Sequence, residues 1–238
     1  MTLQTPAWPH GEIRQIFDNI FFVSGTNKTV HDGIELQHSR NMIIVREEGK
    51  LSLINSVRLT DAGLRRLEKL GQIDKVIRIG AFHGRDDAFY INKYQAALWA
   101  LPGMQDQHGC HIDVEFTAEG QQPFVNCSLL NFATAKFPEA IIHIKQHEGI
   151  LLSCDSIKNW LTSDEYFSEQ SGAAYQEQGF FGKATISKIW QQAMAVEASD
   201  FKRLKELSFK HLLSAHGEPL LYTAYQDVLT TIKQEYGI

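Results

Sequence analysis

The sequence predicts an α/β fold in which two mixed sheets pack together with helices outside. Three observations predict it. Short β-rich runs recur in both halves of the chain with hairpin turns between them. Helix-period stretches follow the strands of each half. No composition shift or linker separates the halves, so residues 1–238 read as one domain with room for a sizeable core.

Ile13–Gly25 reads as strand material carrying Ile16, Ile20, Phe21, Phe22 and Val23. Thr26–Arg40 is polar, holds His31 and His38, and reads as a loop. Met42–Val57 reads as a hairpin turning at Glu47-Glu48-Gly49-Lys50. Thr60 or Asp61 caps a helix with Leu64, Leu67 and Leu70 on one face, and Gly71 suits its end. Ile73–Ile79 is the next strand. Phe89, Tyr90 and Tyr94 then suggest a helix packing back on the sheet.

The second half echoes the first. Gln122–Phe132 reads as a strand, and Ala140–Lys145 with Gly149–Cys154 as a hairpin around His147-Glu148-Gly149. Residues 162–182 mix Gly, Gln and aromatics and read as an insertion over one end of the sheet, with Tyr166–Phe181 as a lid. Ile186, Ile189, Trp190 and Ala193 share a helical face. Phe201–Leu213 passes from helix into strand. Pro219 fits the first position of a last helix bearing Leu221, Tyr225, Val228 and Ile232.

The totals exclude several classes. A formal net charge of −5 and the lack of a Lys/Arg block argue against a nucleic-acid surface. No apolar run approaches a membrane span, and the start lacks a secretory pattern. The three cysteines, Cys110, Cys127 and Cys154, have no CxxC spacing and fit a reducing, cytoplasmic setting. The expected partner is a small molecule.

Three polar segments share one context, a strand that ends and turns: His83–Asp87, Asp155 and His216. Open α/β architectures keep their chemistry at such ends. His and Asp are also the side chains a borderline divalent metal takes. Alone, each has an ordinary reading: a turn histidine, a helix N-cap, a loop-end histidine. Together they point to a site.

In these phrases the chain resembles the metallo-β-lactamase superfamily. Leu53-Ile54-Asn55-Ser56-Val57 stands where that family has LIDTG. His83-Gly84-Arg85-Asp86-Asp87-Ala88 stands for HxHxDH. Thr134-Ala135-Lys136-Phe137-Pro138-Glu139-Ala140 stands for PGHTPGS. Leu151-Leu152-Ser153-Cys154-Asp155 stands for LFSGD, and Ala215-His216-Gly217 for GHG. The resemblance runs from about Ile13 to the end and implies a four-layer αββα sandwich and a metal-dependent hydrolase.

The departures imply a reduced site. Carried over residue by residue, the family's first metal would keep His83 but meet Arg85 and Lys136. The second would keep Asp87 and His216 but meet Ala88, with Asp155 in the bridging position. A shifted register, with His83 as the second histidine, places Arg85 at the Asp position and accounts for less.

The expected metal ligands are thus His83, Asp87, Asp155 and His216. Asp155, Lys136 and Arg85 are the expected catalytic residues, with Lys136 and Arg85 supplying the first metal's charge and polarising a carbonyl or holding an anion. The cofactor is one divalent ion, zinc foremost, or iron or manganese. The alternative is no metal at all and a silent ligand-binding or interaction protein.

Other candidates are set aside. Cys154 is expected in the core, since neighbouring strand residues face opposite ways. His108 and His111 are expected on a surface loop, His143 and His147 exposed, and His211 structural. Tyr90, Trp99 and Trp160 are expected in the core. His31 and His38 fall where the family keeps the edge of its site.

Overall fold

The computed structural model describes residues 5–31, 33–105 and 110–238, so His108 and the side chain of His31 lie outside the described residues. The first sheet holds β1 (Arg14–Phe17), β2 (Ile20–His31), β3 (Ile34–Glu47), β4 (Lys50–Ile54), β5 (Gln72–Arg78), β6 (Ala97–Ala100) and β7 (Val114–Glu115), side by side in chain order. Its β1-to-β4 neighbours are antiparallel and its β4-to-β7 neighbours parallel. Helices α1 (Asp61–Leu70) and α2 (Asp87–Tyr94) make the crossovers that parallel pairing requires.

The second sheet contains β8 (Cys127–Asn131), β9 (Ala140–Ile144) and β10 (Ile150–Ser153). A two-stranded ribbon follows, β11 (Lys158–Trp160) with β12 (Gly182–Thr185). Strand β13 (His211–Ser214) then joins the second sheet parallel to β10, giving the order β13-β10-β9-β8. The remaining helices are α3 (Glu169–Glu177), α4 (Lys188–Met194), α5 (Ala198–Lys202) and α6 (Ala224–Tyr236).

Alternation along the strands builds the layers. Ile20, Phe22, Ile43, Ile54 and Ile77 face Leu129, Ile142, Leu152 and Leu213 of the other sheet. Their neighbours Phe21, Val23, Ile44, Leu53 and Val76 meet Leu64 and Leu67 of α1 and Phe89 and Tyr90 of α2. Ile141, Leu151 and Leu212 meet Trp190, Met194, Phe201, Val228 and Ile232 on the far side. The result is the αββα sandwich. Each fully buried Leu, Ile or Phe contributes roughly 1.5–3 kcal/mol to holding it together. Among the described residues no helix is long and apolar enough to cross a membrane.

Several elements differ from expectation. Ile13–Gly25 is two strands rather than one, because the chain turns at Asn19, a residue with positive φ. Thr26–Arg40 is not a loop: β2 and β3 pair without a break from Ile20↔Val45 to His31↔Ile34. The segment is polar because β4 pairs with β3 only over Ile43–Glu47, so the outer ribbon has no third strand and no apolar layer to join. Pro219 does not start the last helix. Leu220 instead bridges Leu212, and α6 begins at Ala224. His143 is buried rather than exposed, since β9 lies inside its sheet, and its Nε2 sits 2.9 Å from the Ser208 carbonyl. The capped helix is as expected: the Thr60 hydroxyl accepts from the Gly63 N–H, and Leu64 and Leu67 are buried.

Candidate functional site

Strand register places the central residues. β10 and β13 run parallel with Ser153 opposite Ser214. Two residues further along each strand's continuation stand Asp155 and His216, on the same side by alternation. β5 ends at Arg78, and the chain then turns at Gly80 toward His83. A Cβ at Gly80 would lie 2.4 Å from the Cys154 sulfur, so only glycine lets the two loops meet this closely.

Asp155 is the hub. Its Oδ2 lies 3.3 Å from His83 Nε2, and its Oδ1 lies 3.1 Å from His216 Nε2 and 3.3 Å from Lys158 Nζ. Burial alone would push this carboxyl up; the contacts with His83, Lys158 and His216 outweigh it and hold it well below the usual carboxylate range.

His216 shows which ring nitrogen is free. Its Nδ1 is 3.0 Å from the Ser39 carbonyl, which can only accept, so Nδ1 carries the proton. Burial foremost pulls the His216 pKa down to about 4, against the raising effect of the Asp155 contact. His83 Nδ1 is buried with no hydrogen-bond partner among the described residues.

A second carboxyl stands behind the hub. Glu139 Oε1 accepts from the backbone N–H groups of Asp155 at 3.0 Å and Ser156 at 2.6 Å, and Oε2 accepts from Trp190 Nε1 at 2.9 Å. Burial, then the Asp155 charge, pushes Glu139 up to about 8. It ties the Asp155 loop to the wall of the cleft.

The other expected ligand sits elsewhere. Asp87 receives Arg78 Nε at 2.9 Å and the Ser56 hydroxyl at 2.7 Å. Asp86 receives Arg40 Nη1 at 3.2 Å and the Arg58 N–H at 2.9 Å. In both ion pairs no side chain is more than 5% exposed. The structure therefore groups His83, Asp155 and His216 and engages Asp87 in a separate pair.

Lys136 is corrected as well. It is exposed, with its ammonium over the Phe137 ring, outside the cleft. The cation beside Asp155 is Lys158, on β11, which sequence reasoning missed. Arg85 does line the cleft, with Nη1 donating to the Lys28 carbonyl at 2.8 Å.

Cys154 packs in the core between the sheets, as expected, yet its sulfur is 3.8 Å from Asp155 Oδ2. Ligand-capable atoms of His83, Cys154 and Asp155 all lie within 4.8 Å of one another. Burial foremost, then the charge of Asp155, pushes the Cys154 thiol well above its ordinary range.

Above this group opens a cavity of about 320 Å³. Its walls include Trp160, Tyr175 and Phe180, with His38 and Arg85. Trp160 is buried, as expected, but it walls the cleft: it stacks on His216 with ring centroids 4.8 Å apart and donates to the Ser39 hydroxyl at 3.0 Å. His38 is held neutral, pulled down to about 3 by burial foremost and then by His216. The segment expected as a lid packs on the β2–β3 ribbon, with the Ser168 N–H donating to the Gln37 carbonyl and the Gln37 N–H to the Ser171 hydroxyl.

The donor set decides what the site can hold. Asp87 is taken up by Arg78 and Ser56 and does not join His83 and Asp155. Ligand-capable atoms of His83, Cys154 and Asp155 cluster, with His216 on the other oxygen of Asp155, and borderline divalent metals take donors of these kinds.

No protein-family profile matches the chain, and no curated protein matches it in sequence. Solved structures match its fold. A metallo-β-lactamase from Pontibacter korlensis is 11% identical with a TM-score of 0.58, covering 94% of this chain and 99% of that one. A metallo-β-lactamase from Erythrobacter litoralis is 13% identical with a TM-score of 0.59, covering 95% and 94%. FIM-1 from Pseudomonas aeruginosa, in a mono-zinc form, is 9% identical with a TM-score of 0.60, covering 96% of each chain. The chain has the metallo-β-lactamase fold.

Proposed function

We propose that this chain is a hydrolase of a small substrate whose reduced site holds one divalent ion, zinc foremost and iron or manganese as alternatives, on His83, Asp155 and His216. The observation that carries the reading is the His216 ring. Its Nδ1 is committed to Ser39, and its Nε2 faces a carboxylate oxygen at 3.1 Å. A ring nitrogen and a carboxylate oxygen so close share either a proton or a metal cation. The two histidines approach the same carboxylate through different oxygens, His83 at 3.3 Å from Oδ2 and His216 at 3.1 Å from Oδ1.

When bound, such an ion supplies Lewis acidity and a nucleophilic water near neutral pH. Lys158 stands where negative charge on a reacting oxygen would need an ammonium. Glu139 holds the Asp155 backbone in place. Trp160 and the other aromatic walls limit water around the reacting group. The buried free cysteines suit a reducing, cytoplasmic setting.

The test is metal content by mass spectrometry on tag-free protein purified without chelators, and again after incubation with zinc, manganese or iron. About one ion per chain is expected, lost in Asp155→Asn, followed by turnover in an ester, thioester and phosphoester screen. An ion-free wild type under every one of these conditions overturns the reading.

Lys158 supports a second reading. Its ammonium, 6% exposed, lies 3.3 Å from Asp155 Oδ1 and itself supplies a cation. The protein would then bind a ligand without metal or turnover. In that case Lys158→Met gains metal that the wild type does not take up.

A further inference from the structure

The charge balance of the cleft identifies its ligand class. Three cationic side chains are among its described lining residues. Lys158 is answered by Asp155 at 3.3 Å and Arg40 by Asp86 at 3.2 Å. Arg85 has no carboxylate partner among the described residues. Its single bond to the Lys28 carbonyl fixes the guanidinium at the cleft while its other N–H groups face no acceptor among those residues. A fixed guanidinium with spare donors pairs best with a carboxylate or a similar oxyanion.

The rest of the cleft is built for a flat apolar body. Trp160, Tyr175 and Phe180 form one wall, with the Trp160 and Tyr175 rings 5.6 Å apart and Tyr175 stacked on Phe180 at 4.5 Å. The volume of about 320 Å³ admits one or two fused rings. The Asn27 side chain and the Tyr175 hydroxyl also line it and have no hydrogen-bond partner among the described residues, so polar groups remain for orientation.

We infer that the cleft takes a small organic anion, its acidic group paired with Arg85 and its planar body laid against Tyr175 and Phe180, which the buried Trp160 backs. This names the substrate class of the reading above and rests on the same cleft being the functional site.

The experiment is calorimetric titration of metal-stripped, dialysed protein with 1-naphthylacetate and with 1-naphthylacetamide, which share a ring system and differ in charge. The acid should bind about tenfold tighter than the amide, as one charge-assisted contact allows. Arg85→Gln should bring the two within about twofold, and Arg85→Lys should keep part of the gap. Circular dichroism checks that both variants fold. Equal affinities in the wild type, a gap unchanged in Arg85→Gln, or no binding of either probe overturns the inference. The assay needs neither metal nor turnover. A preference for the acid in a protein without metal uptake would remove the hydrolase and leave the ligand class standing.

Discussion

Asp87 and Asp155 make an instructive pair. Both are buried carboxylates, Asp155 two residues past β10 and Asp87 at the start of α2, and both face nitrogen groups. Asp87 meets Arg78, a guanidinium that stays charged and ligates no metal, and the pair is sealed at 1% and 3% side-chain exposure. Asp155 meets two imidazoles and an ammonium at the floor of a cavity. The Asp87 pair is sealed in the interior, whereas the Asp155 group borders the cavity, where the proposed ion would have access.

The largest expected effect tests the sealed half. Arg78→Met strands Asp87 in the interior and should cost about 3–5 kcal/mol of stability. Urea unfolding measures it, and Asp87→Asn in the same chain should restore part of the loss. A cost under about 1 kcal/mol would show Asp87 free to serve as a ligand after all, and the contrast would collapse.

Glu139→Gln comes next, at about 1–3 kcal/mol. Its amide oxygen can still accept from the Asp155 and Ser156 N–H groups, but its NH₂ would face the Trp190 N–H. Trp190→Phe should relieve that donor–donor clash, so unfolding of the double variant separates the two contributions.

Lys158→Met removes the cation that competes for Asp155 and should tighten zinc binding about tenfold in a competition assay. Unchanged affinity would mean the ammonium does not compete. The smallest effect lies outside the site. Burial lowers the His143 pKa below 6.5 in the fold. The unfolded chain therefore binds the extra proton first, and stability is lost as pH falls below about 6.5, by at most roughly 1.4 kcal/mol per pH unit. His143→Gln should flatten that slope in unfolding measured from pH 7 to 5.

The positions of the hub residues were legible because strand ends can be read from apolar runs that stop. Leu151–Ser153 before Asp155 and Leu212–Ser214 before His216 are such runs. The partners were less legible. Lys136 sits in a phrase of the right shape, but side-chain direction depends on the turn, and here it points to solvent. Lys158 follows Asp155 by three residues, a spacing that brings them together only because the chain turns into β11. One signal was present and went unread. Arg78 interrupts Val76-Ile77-Arg78-Ile79, and a guanidinium inside a doubly covered strand demands a buried carboxylate. The outer part of the β2–β3 hairpin, Thr26–Arg40, hid because a polar ribbon without an apolar run looks like loop.

That ribbon encodes part of the cleft as a matter of parity. Asn27 and Thr29 on one strand, and His38 and Arg40 on the other, reach the cavity because each strand offers every second residue to it and Asn27 pairs with His38. Its tip can therefore lengthen or shorten by matched pairs of rungs without disturbing the cleft. A single residue inserted into one strand between Asn27 and Ile20 would turn Asn27 and Thr29 away from the cavity. Length variation in this chain should be free at the end of the hairpin and quantised at its root.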